Sequence, residues 1–460
     1  MLTNSSCRWV MLLVVLLVAA PACGQTEGAD VIWSERIEIA AGDAHQGPWR
    51  MNRSEFHYVD DPTVAMDEAG SVGVVWADHT RRDLFFQRYS PNGEKRFTNP
   101  VGVSHSPEVF SWLPRLVLNG RDSENVYVLW QEIVFSGGTH GGEIFFARSS
   151  NGGETFHRPV NLSNSVAGDG KGRLTRRYWH NGSLDLALGV GGVLHAAWTE
   201  YEGSLLVSRS VDGGNSFSTP MRIAGGTTGT PARGPSVAVH GQKVFVMWTV
   251  GEDESADIHF VRSFDGGQSF EPPRVVAETN GHSDSPKVAV DPAGTLHLVF
   301  AESPNGFFDR YHIRYMRSDD GGQTFQGLGR IPNPHPQYFK SGSFPSLGVA
   351  GNGRVYVLWE LYQNRKSRPR GLGFTYSKDG GESFAPPALL PDIANQALGE
   401  NGSRQGSLMR KLAVNSGGAL AVVNSTFRLN DSSHVWLLLG RLRGNECSVS
   451  EQVRQLRRNC

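Results

Sequence analysis

"SFDGGQSF" occupies residues 263–270, and versions of it return along the chain. "SSNGGETF" lies at 149–156, "SVDGGNSF" at 210–217, "SDDGGQTF" at 318–325 and "SKDGGESF" at 377–384, with a decayed copy, "SPNGEKRF", at 90–97. Counted between first residues (90, 149, 210, 263, 318, 377), the steps are 59, 61, 53, 55 and 59 residues. A motif repeated at so even a period marks an architecture of stacked units rather than one irregular domain.

Each octet belongs to a larger unit. The unit begins with a short apolar strand, often after proline: "PTVAMD" (62–67), "PRLVLN" (114–119), "SLDLAL" (183–188), "PSVAVH" (235–240), "PKVAVD" (286–291), "PSLGVA" (345–350) and "RKLAVN" (410–415). A second strand follows, usually ending in tryptophan, as in "VYVLW" (126–130) and "VFVMW" (244–248). A third runs into the octet ("IHFVRS", 258–263) and a fourth leaves it ("PPRVVA", 272–277). All are short, apolar or alternating, and bounded by Gly, Pro, Asn or Asp. The 55 glycines and a charged fraction of only 19% agree with many strands and tight turns.

Four antiparallel strands repeated radially are the blades of a β-propeller, so the fold class is all-β. Seven first strands and seven second strands can be counted. The seventh unit has a third strand, "HVWLLLGRL" (434–442), but no octet and no evident fourth strand. "VIWSERIEIA" (31–40) has the shape of "SFEPPRVVA" (269–277). The sequence therefore predicts seven blades, closed by the N-terminal strand joining the C-terminal blade, which pairs an otherwise exposed edge. Six blades plus an irregular terminal segment is the alternative. Within the octet, the Asp carboxylate can accept backbone N–H bonds, the glycines allow left-handed backbone, and the phenylalanine can pack back into the blade.

This constellation resembles the Asp box, the BNR repeat of the sialidase superfamily, over roughly residues 30–442. The resemblance implies that the boxes are structural and lie on the face opposite the active site. Asp212, Asp265, Asp320 and Asp379 are structural on that reading. Strand order then puts the fourth-to-first and second-to-third loops together on the other rim. Acids follow the second strands there: Asp78, Glu132, Glu200, Glu252, Glu302 and Glu360. Crowded carboxylates raise one another's pKa unless cations intervene, and Arg53, Arg233 and Arg410 lie in loops of the same rim. Aromatic residues, acids and arginines together suit sugar rings and acidic sugars.

Sialidases hold the substrate carboxylate with three arginines and attack with a tyrosine activated by a glutamate, beside an aspartic acid/base. Carried over, Asp78 and Asp83 fall in the acid/base loop, Tyr338 stands where a nucleophile fits, and Glu200 or Glu202 is its base. Glu302 completes the candidate catalytic set. Arg53, Arg233, Glu132, Glu252, Glu360 and Arg410 form the candidate substrate-binding set. The family's first arginine precedes a proline, and here "VDDPTV" has Asp60 at that position; "ARGPSV", with Arg233, is the nearest match. Two functions stay open. A glycoside hydrolase or related enzyme predicts a carboxylate pair, or a tyrosine and a glutamate, in contact. A non-catalytic propeller binding a glycan or a protein predicts a filled axis with its acids paired to arginines.

The ends bear on location. Residues 1–22 read as a signal peptide, with Arg8 ahead of the apolar run "WVMLLVVLLVAA" (9–20), too short to span a bilayer. "AAPAC" resembles a lipoprotein cleavage box with Cys23 as the lipidated residue; plain secretion is the other reading. Residues 23–30 are a short linker, 31–442 the propeller and 443–460 a basic tail in which Cys447 and Cys460 are placed to form a disulfide. A pI near 7.0 offers no case for nucleic acid. The expected partner is a glycan or glycoconjugate, with a membrane contact only through an N-terminal lipid. No metal-ligand spacing and no cofactor motif occurs, and oligomeric state is left open.

Overall fold

The structure is a computed structural model. It describes residues 30–443 apart from 51, 120–123, 134–141, 165–172, 175–178, 181–183, 201–202, 226–230, 251–255, 278, 280, 307–308, 365–366, 392–398 and 403–408. Cys23, Glu252, Cys447 and Cys460, and the signal and tail segments, lie outside the described residues. The chain divides into units 1–30 and 31–460; the propeller is the second.

Six antiparallel sheets of four strands and one of six, whose inner and outer strands each come in two pieces, form the seven blades. Blade 4 is representative: Ala232–His240, Lys243–Val250, Asp257–Ser263 and Arg274–Ala277, paired in that order. The inner strands of the other blades are Val59–Met66, Ser111–Asn119, Leu184–Leu188, His282–Val290, Ser341–Val349 and Leu412–Val414. Successive inner strands touch from blade 1 round to blade 7 and back to blade 1, so the circle is closed. Blade 7 takes its outer strand from the N-terminus, where Val31–Trp33 and Ile37–Gly42 pair with Ser432–Leu442. The expected closure is thus present.

The core is layered between blades. Trp76, Trp130, Trp198, Trp248 and Trp359 end the apolar part of their second strands and are all 2% exposed or less. Phe300 holds the place in blade 5. Blade 7 has Asn424 there, opposite Trp436 on the third strand, so its indole has moved one strand outward.

Each octet begins with the last residue of a third strand. In "SFDGGQSF" the Ser263 hydroxyl donates to Asp265 Oδ1 (2.7 Å) and accepts from Gly267 N–H (2.9 Å). Asp265 also accepts from Ser269 N–H (2.9 Å) and from the Ser269 hydroxyl (2.5 Å). Asp212, Asp320 and Asp379 repeat this pattern. The donated hydroxyls hold the four carboxyls well below the usual range, Asp212 and Asp379 at about 2.

The octet phenylalanine reaches across the seam as well as packing on its own blade. Phe156, Phe217, Phe325 and Phe384 lie edge-on to Phe86, Phe146, Phe260 and Tyr315 of the preceding blade, with centroids 4.8–5.6 Å apart. In blade 7, which has no octet, Trp33 of the N-terminal strand meets Phe374 in the same way at 5.3 Å. A second link follows. Arg209, Arg262 and Arg317, each one residue before an octet, donate to the first-glycine carbonyl of the next octet (Gly266, Gly321, Gly380) at 2.8–3.3 Å. Blade 6 has Tyr376 there, and the next blade offers no octet to hold. The octet is therefore a clasp between blades.

The two octet glycines have different tasks. Both have positive φ: Gly321 is at 68° and Gly322 at 81°. A Cβ on Gly321 would meet nothing nearer than Lys243 Nζ at 3.7 Å, whereas one on Gly322 would sit 2.7 Å from Phe260 Cζ. Gly321→Ala is expected to cost about 1–2 kcal/mol for the left-handed backbone alone. Gly322→Ala is expected to cost at least ~1 kcal/mol more through displacement of the Phe260 ring. Urea unfolding of the two variants checks the difference.

Candidate functional site

The rim opposite the octets is shaped by a bulge repeated on the inner strands. Register shifts occur at Asp60/Thr63, Arg233/Ser236, Asp284/Lys287 and Ser343/Ser346, and on the strand facing Trp112–Arg115. The residue before proline there has positive φ: Asp61 53°, Leu113 58°, Gly234 58°, Ser285 58° and Phe344 51°. Proline disfavours such a neighbour, and inside a strand it is tolerated at bulges and edges. The inner strands thus begin about three residues before the prolines where sequence reading started them. Asp61, Leu113, Ser285 and Phe344 thus carry strained backbone at one height in four blades, while Gly234 adopts the same angle freely.

Just below the bulges lies a ring of polar side chains, one per blade. Thr63, Arg115, Asp185, Ser236, Lys287 and Ser346 each pair with the residue before the Trp or Phe of the second strand, and Lys411 accepts from Val423 N–H in the same register. All seven are buried. Asp185 accepts from Val237 N–H (2.8 Å), Ser236 from Val288 N–H (3.1 Å) and Ser346 from Lys411 N–H (3.1 Å), so the ring ties blade 3 to 4, blade 4 to 5 and blade 6 to 7.

The charges in this ring balance locally. Asp185 lies between Arg410 (2.8 Å) and Arg115 (3.7 Å). Burial alone would raise its carboxyl, but Arg410, Lys287, Arg115 and the Val237 amide hold it below the ordinary range. Burial, with Arg115 adding to it and Asp185 opposing, lowers Lys287 to about 7. Arg233 pairs with Asp284 (3.2 Å) and donates to His282 Nε2 (2.9 Å). Since arginine only donates, Nε2 accepts, and Nδ1–H therefore points to the Tyr311 hydroxyl (3.0 Å). Asp60 accepts from the Ser425 hydroxyl (2.5 Å) across the seam between blades 7 and 1.

Glu360 is the exception in function. It is fully buried, and its Oε1 takes Lys411 Nζ. Its Oε2 accepts from the Tyr362 hydroxyl at 2.5 Å. Lys411 also donates to Asn424 Oδ1 (2.8 Å), whose amide donates to Asn401 (2.8 Å). Tyr362 is half-buried and is the member of this chain of groups nearest the surface. Burial, then the Glu360 charge, hold its phenol well above 10. A hydroxyl, a carboxylate that can take its proton and a third group orienting the carboxylate form the constellation of an activated nucleophile or acid/base pair.

The sequence-nominated residues fall elsewhere in part. Asp78, Glu132, Glu200 and Glu302 stand two residues after the Trp or Phe of their second strands, whereas Glu360 stands one after. With a side-chain period of two, Glu360 projects to the opposite face, toward blade 7. Asp78 is capped by Thr80 and Arg81 N–H (3.0 and 3.1 Å) and pairs with Arg81; burial raises it against these bonds. Asp83 accepts from Ser104 and His105. Glu132 is raised by burial despite bonds from Ser106, Trp130 and Ser111. Glu302 pairs with Arg314 (3.4 Å), and Glu200 opens a turn closed by Ser204. Tyr338 is 40% exposed and lies edge-on to Phe339, and Arg53 is exposed. Tyr362, Lys411, Asp185, Arg115, Lys287 and Asp284 were not nominated. The signal for the ring was a polar residue after the first-strand proline, inside an apolar run.

His79, in the loop after Asp78, is 2% exposed, and neither ring nitrogen has a hydrogen-bond partner among the described residues. Tyr58, Phe56, Phe110 and Trp112 surround it. Burial lowers it to about 3. The unfolded state then binds the extra proton between pH 6.5 and 3, so this contribution is intact above 6.5 and is lost as pH falls toward 3. His79→Phe is expected to gain about 3 kcal/mol on the wild type between pH 7 and pH 4, by chemical unfolding at both.

Among the described residues no group of three or more His, Cys, Asp or Glu is placed to hold a metal, and no helix is long and apolar enough to cross a membrane. The fold is a seven-bladed propeller whose inner strands carry a ring of buried polar side chains. No family model matches the chain, and no curated protein matches its sequence. Among solved structures, a polysaccharide lyase, ulvan lyase bound to -[GlcA(1-4)Rha3S]-, is 12% identical, with a TM-score of 0.53 over 87% of this chain and 95% of that one. An α-L-arabinanase of Penicillium chrysogenum with arabinobiose is 16% identical (TM-score 0.48; 71% and 92%) and a Hadza microbial sialidase 14% (TM-score 0.45; 70% and 66%). At these identities the likeness is one of fold.

Proposed function

We propose that the chain acts on a glycan at the rim opposite the octets, with Tyr362 touching the substrate, Glu360 exchanging its proton and Lys411 fixing the carboxylate. The observation that carries this is the hydroxyl–carboxylate–ammonium contact between Tyr362, Glu360 and Lys411 at the axial end of blades 6 and 7. Of the three residues, Tyr362 alone is not fully buried. The ulvan lyase of similar fold is named for a polysaccharide, which supports the substrate class. The octets, which clasp neighbouring blades, are structural on this reading.

The test is a screen of fluorogenic sialosides, neutral glycosides and uronate polysaccharides, reading released fluorophore for hydrolysis and ultraviolet absorbance of unsaturated ends for elimination. Turnover abolished by Tyr362→Phe supports the proposal; turnover indifferent to it sinks it. A non-catalytic glycan-binding propeller is favoured by one observation, the internal pairing of Arg115, Arg410, Arg233 and Lys411 with Asp185, Asp284 and Glu360. Saturable binding without turnover of any substrate supports that second reading. Export is part of the proposal, from the apolar run at 9–20; fractionation, with radiolabelled palmitate read against Cys23→Ser, separates a lipoprotein from a secreted protein.

A further inference from the structure

The seam between blades 3 and 4 lacks a ring that its neighbours have. On the third strands, Phe86, Phe146, Phe260, Tyr315 and Phe374 pair with the residue before the second-strand Trp or Phe. Each then meets an aromatic ring of the next blade: Phe156, Phe217, Phe325, Phe384 or Trp33. In blade 3 this position is Val207, opposite Ala197. Phe270, the octet phenylalanine of blade 4, has only a valine there. The seam opens into a cavity of about 240 Å³ walled by Val207, Met221, Val244 and Phe270, with His195 and Arg209 among its polar groups. Apolar cavities of about 150 Å³ already admit benzene.

His195 is 6% exposed, lines this cavity, and its ring lies against Gly267, where the other seams put phenylalanine or tyrosine. Neither ring nitrogen has a hydrogen-bond partner among the described residues. The lining mixes apolar side chains with Ser208, Ser218, Thr219 and Gln268, and the buried imidazole gives an aromatic occupant one polar anchor. We propose that this cavity binds a single-ring phenol, its ring in the volume that neighbouring seams fill with phenylalanine or tyrosine and its hydroxyl on His195. Burial, with Arg209 nearby, lowers His195 to about 4, so the imidazole is neutral at pH 7 and has one N–H and one lone pair. A hydroxyl both donates and accepts, so it pairs with whichever nitrogen faces inward. The site is on the octet rim and is independent of the Tyr362 site.

The probe is p-cresol, with toluene as its apolar match, titrated into the full chain and followed by ligand-observed NMR and by thermal unfolding. Saturable p-cresol binding about tenfold tighter than toluene is expected. Val207→Phe supplies the missing ring, so it should abolish binding and raise the melting temperature by a few degrees. His195→Leu keeps the space but removes the polar group, so the two probes should bind it equally. The proposal is overturned if p-cresol does not saturate on the wild type, if Val207→Phe leaves binding intact, or if His195→Leu keeps the preference for p-cresol.

Discussion

Tyr362→Phe is expected to lower glycan turnover by about 10²–10⁴-fold, the range that a positioned proton-transfer group supplies, while leaving thermal unfolding nearly unchanged. The phenol donates a hydrogen bond to a buried carboxylate 2.5 Å away, and no other contact of that hydroxyl is needed to hold the strand Val355–Tyr362 in register. Removing one oxygen leaves Glu360 on Lys411, which keeps the pair between blades 6 and 7 intact. Steady-state assays on the substrate found by the screen check it. Tyr338→Phe is the informative control. Tyr338 satisfies the sequence criterion for a nucleophile, being a tyrosine in a loop of that rim, but it stands 40% exposed and lies edge-on to Phe339. Its substitution is expected to leave kcat unchanged. A loss with Tyr338→Phe and none with Tyr362→Phe would move the chemistry to the loop before blade 6.

Asp185→Asn is expected to destabilise the propeller by about 3–5 kcal/mol, the usual cost of leaving a buried charge without its partner. Asp185 neutralises Arg115 and Arg410 together, lies beside Lys287, and accepts the Val237 amide that joins blade 3 to blade 4. The loss has a pH signature. Lys287 titrates at about 7 in the folded chain against 10.5 unfolded, so the unfolded state holds more protons between those values and stability rises with pH across them. Without Asp185 the folded value drops further. The variant's deficit should therefore be larger at pH 5 than at pH 9, where Lys287 is neutral in both proteins. Denaturant unfolding at the two pH values reads it, and a pH-independent deficit would show that Lys287 is not coupled to Asp185.

The repeat was legible because it serves backbone geometry. A left-handed pair of glycines, an Asx-type carboxylate and a hydroxyl two residues before it are local demands, and local demands are written in consecutive residues. The aromatic terminus of the octet was legible only as apolar. That Phe325 rests on Phe260 of another blade, and that Gly322 is bare because Phe260 lies over it, needed the third dimension.

The candidate site divides in the same way. Acids after the second strands were visible, but "WE" and "WAD" read alike, although one residue of offset sends Glu360 to the face opposite Asp78. Asp60, read as an arginine gone missing, is a seam residue bonded to Ser425, which lies 365 residues away in the chain. The polar ring escaped notice because each member looked like an isolated polar residue in an apolar strand.

By itself the sequence determined the class of fold and the repeating unit, and it favoured seven units with the last blade closed by the first strand. Those follow from short-range patterns: a period of two within strands and a recurring turn between them. Which side chains meet at the axis was decided only by the tertiary structure. Lys411, Glu360 and Tyr362 come from two blades, and Arg115, Asp185, Lys287 and Arg410 from four. Their meeting depends on how seven twisted sheets close around a common centre, and no stretch of the chain records that.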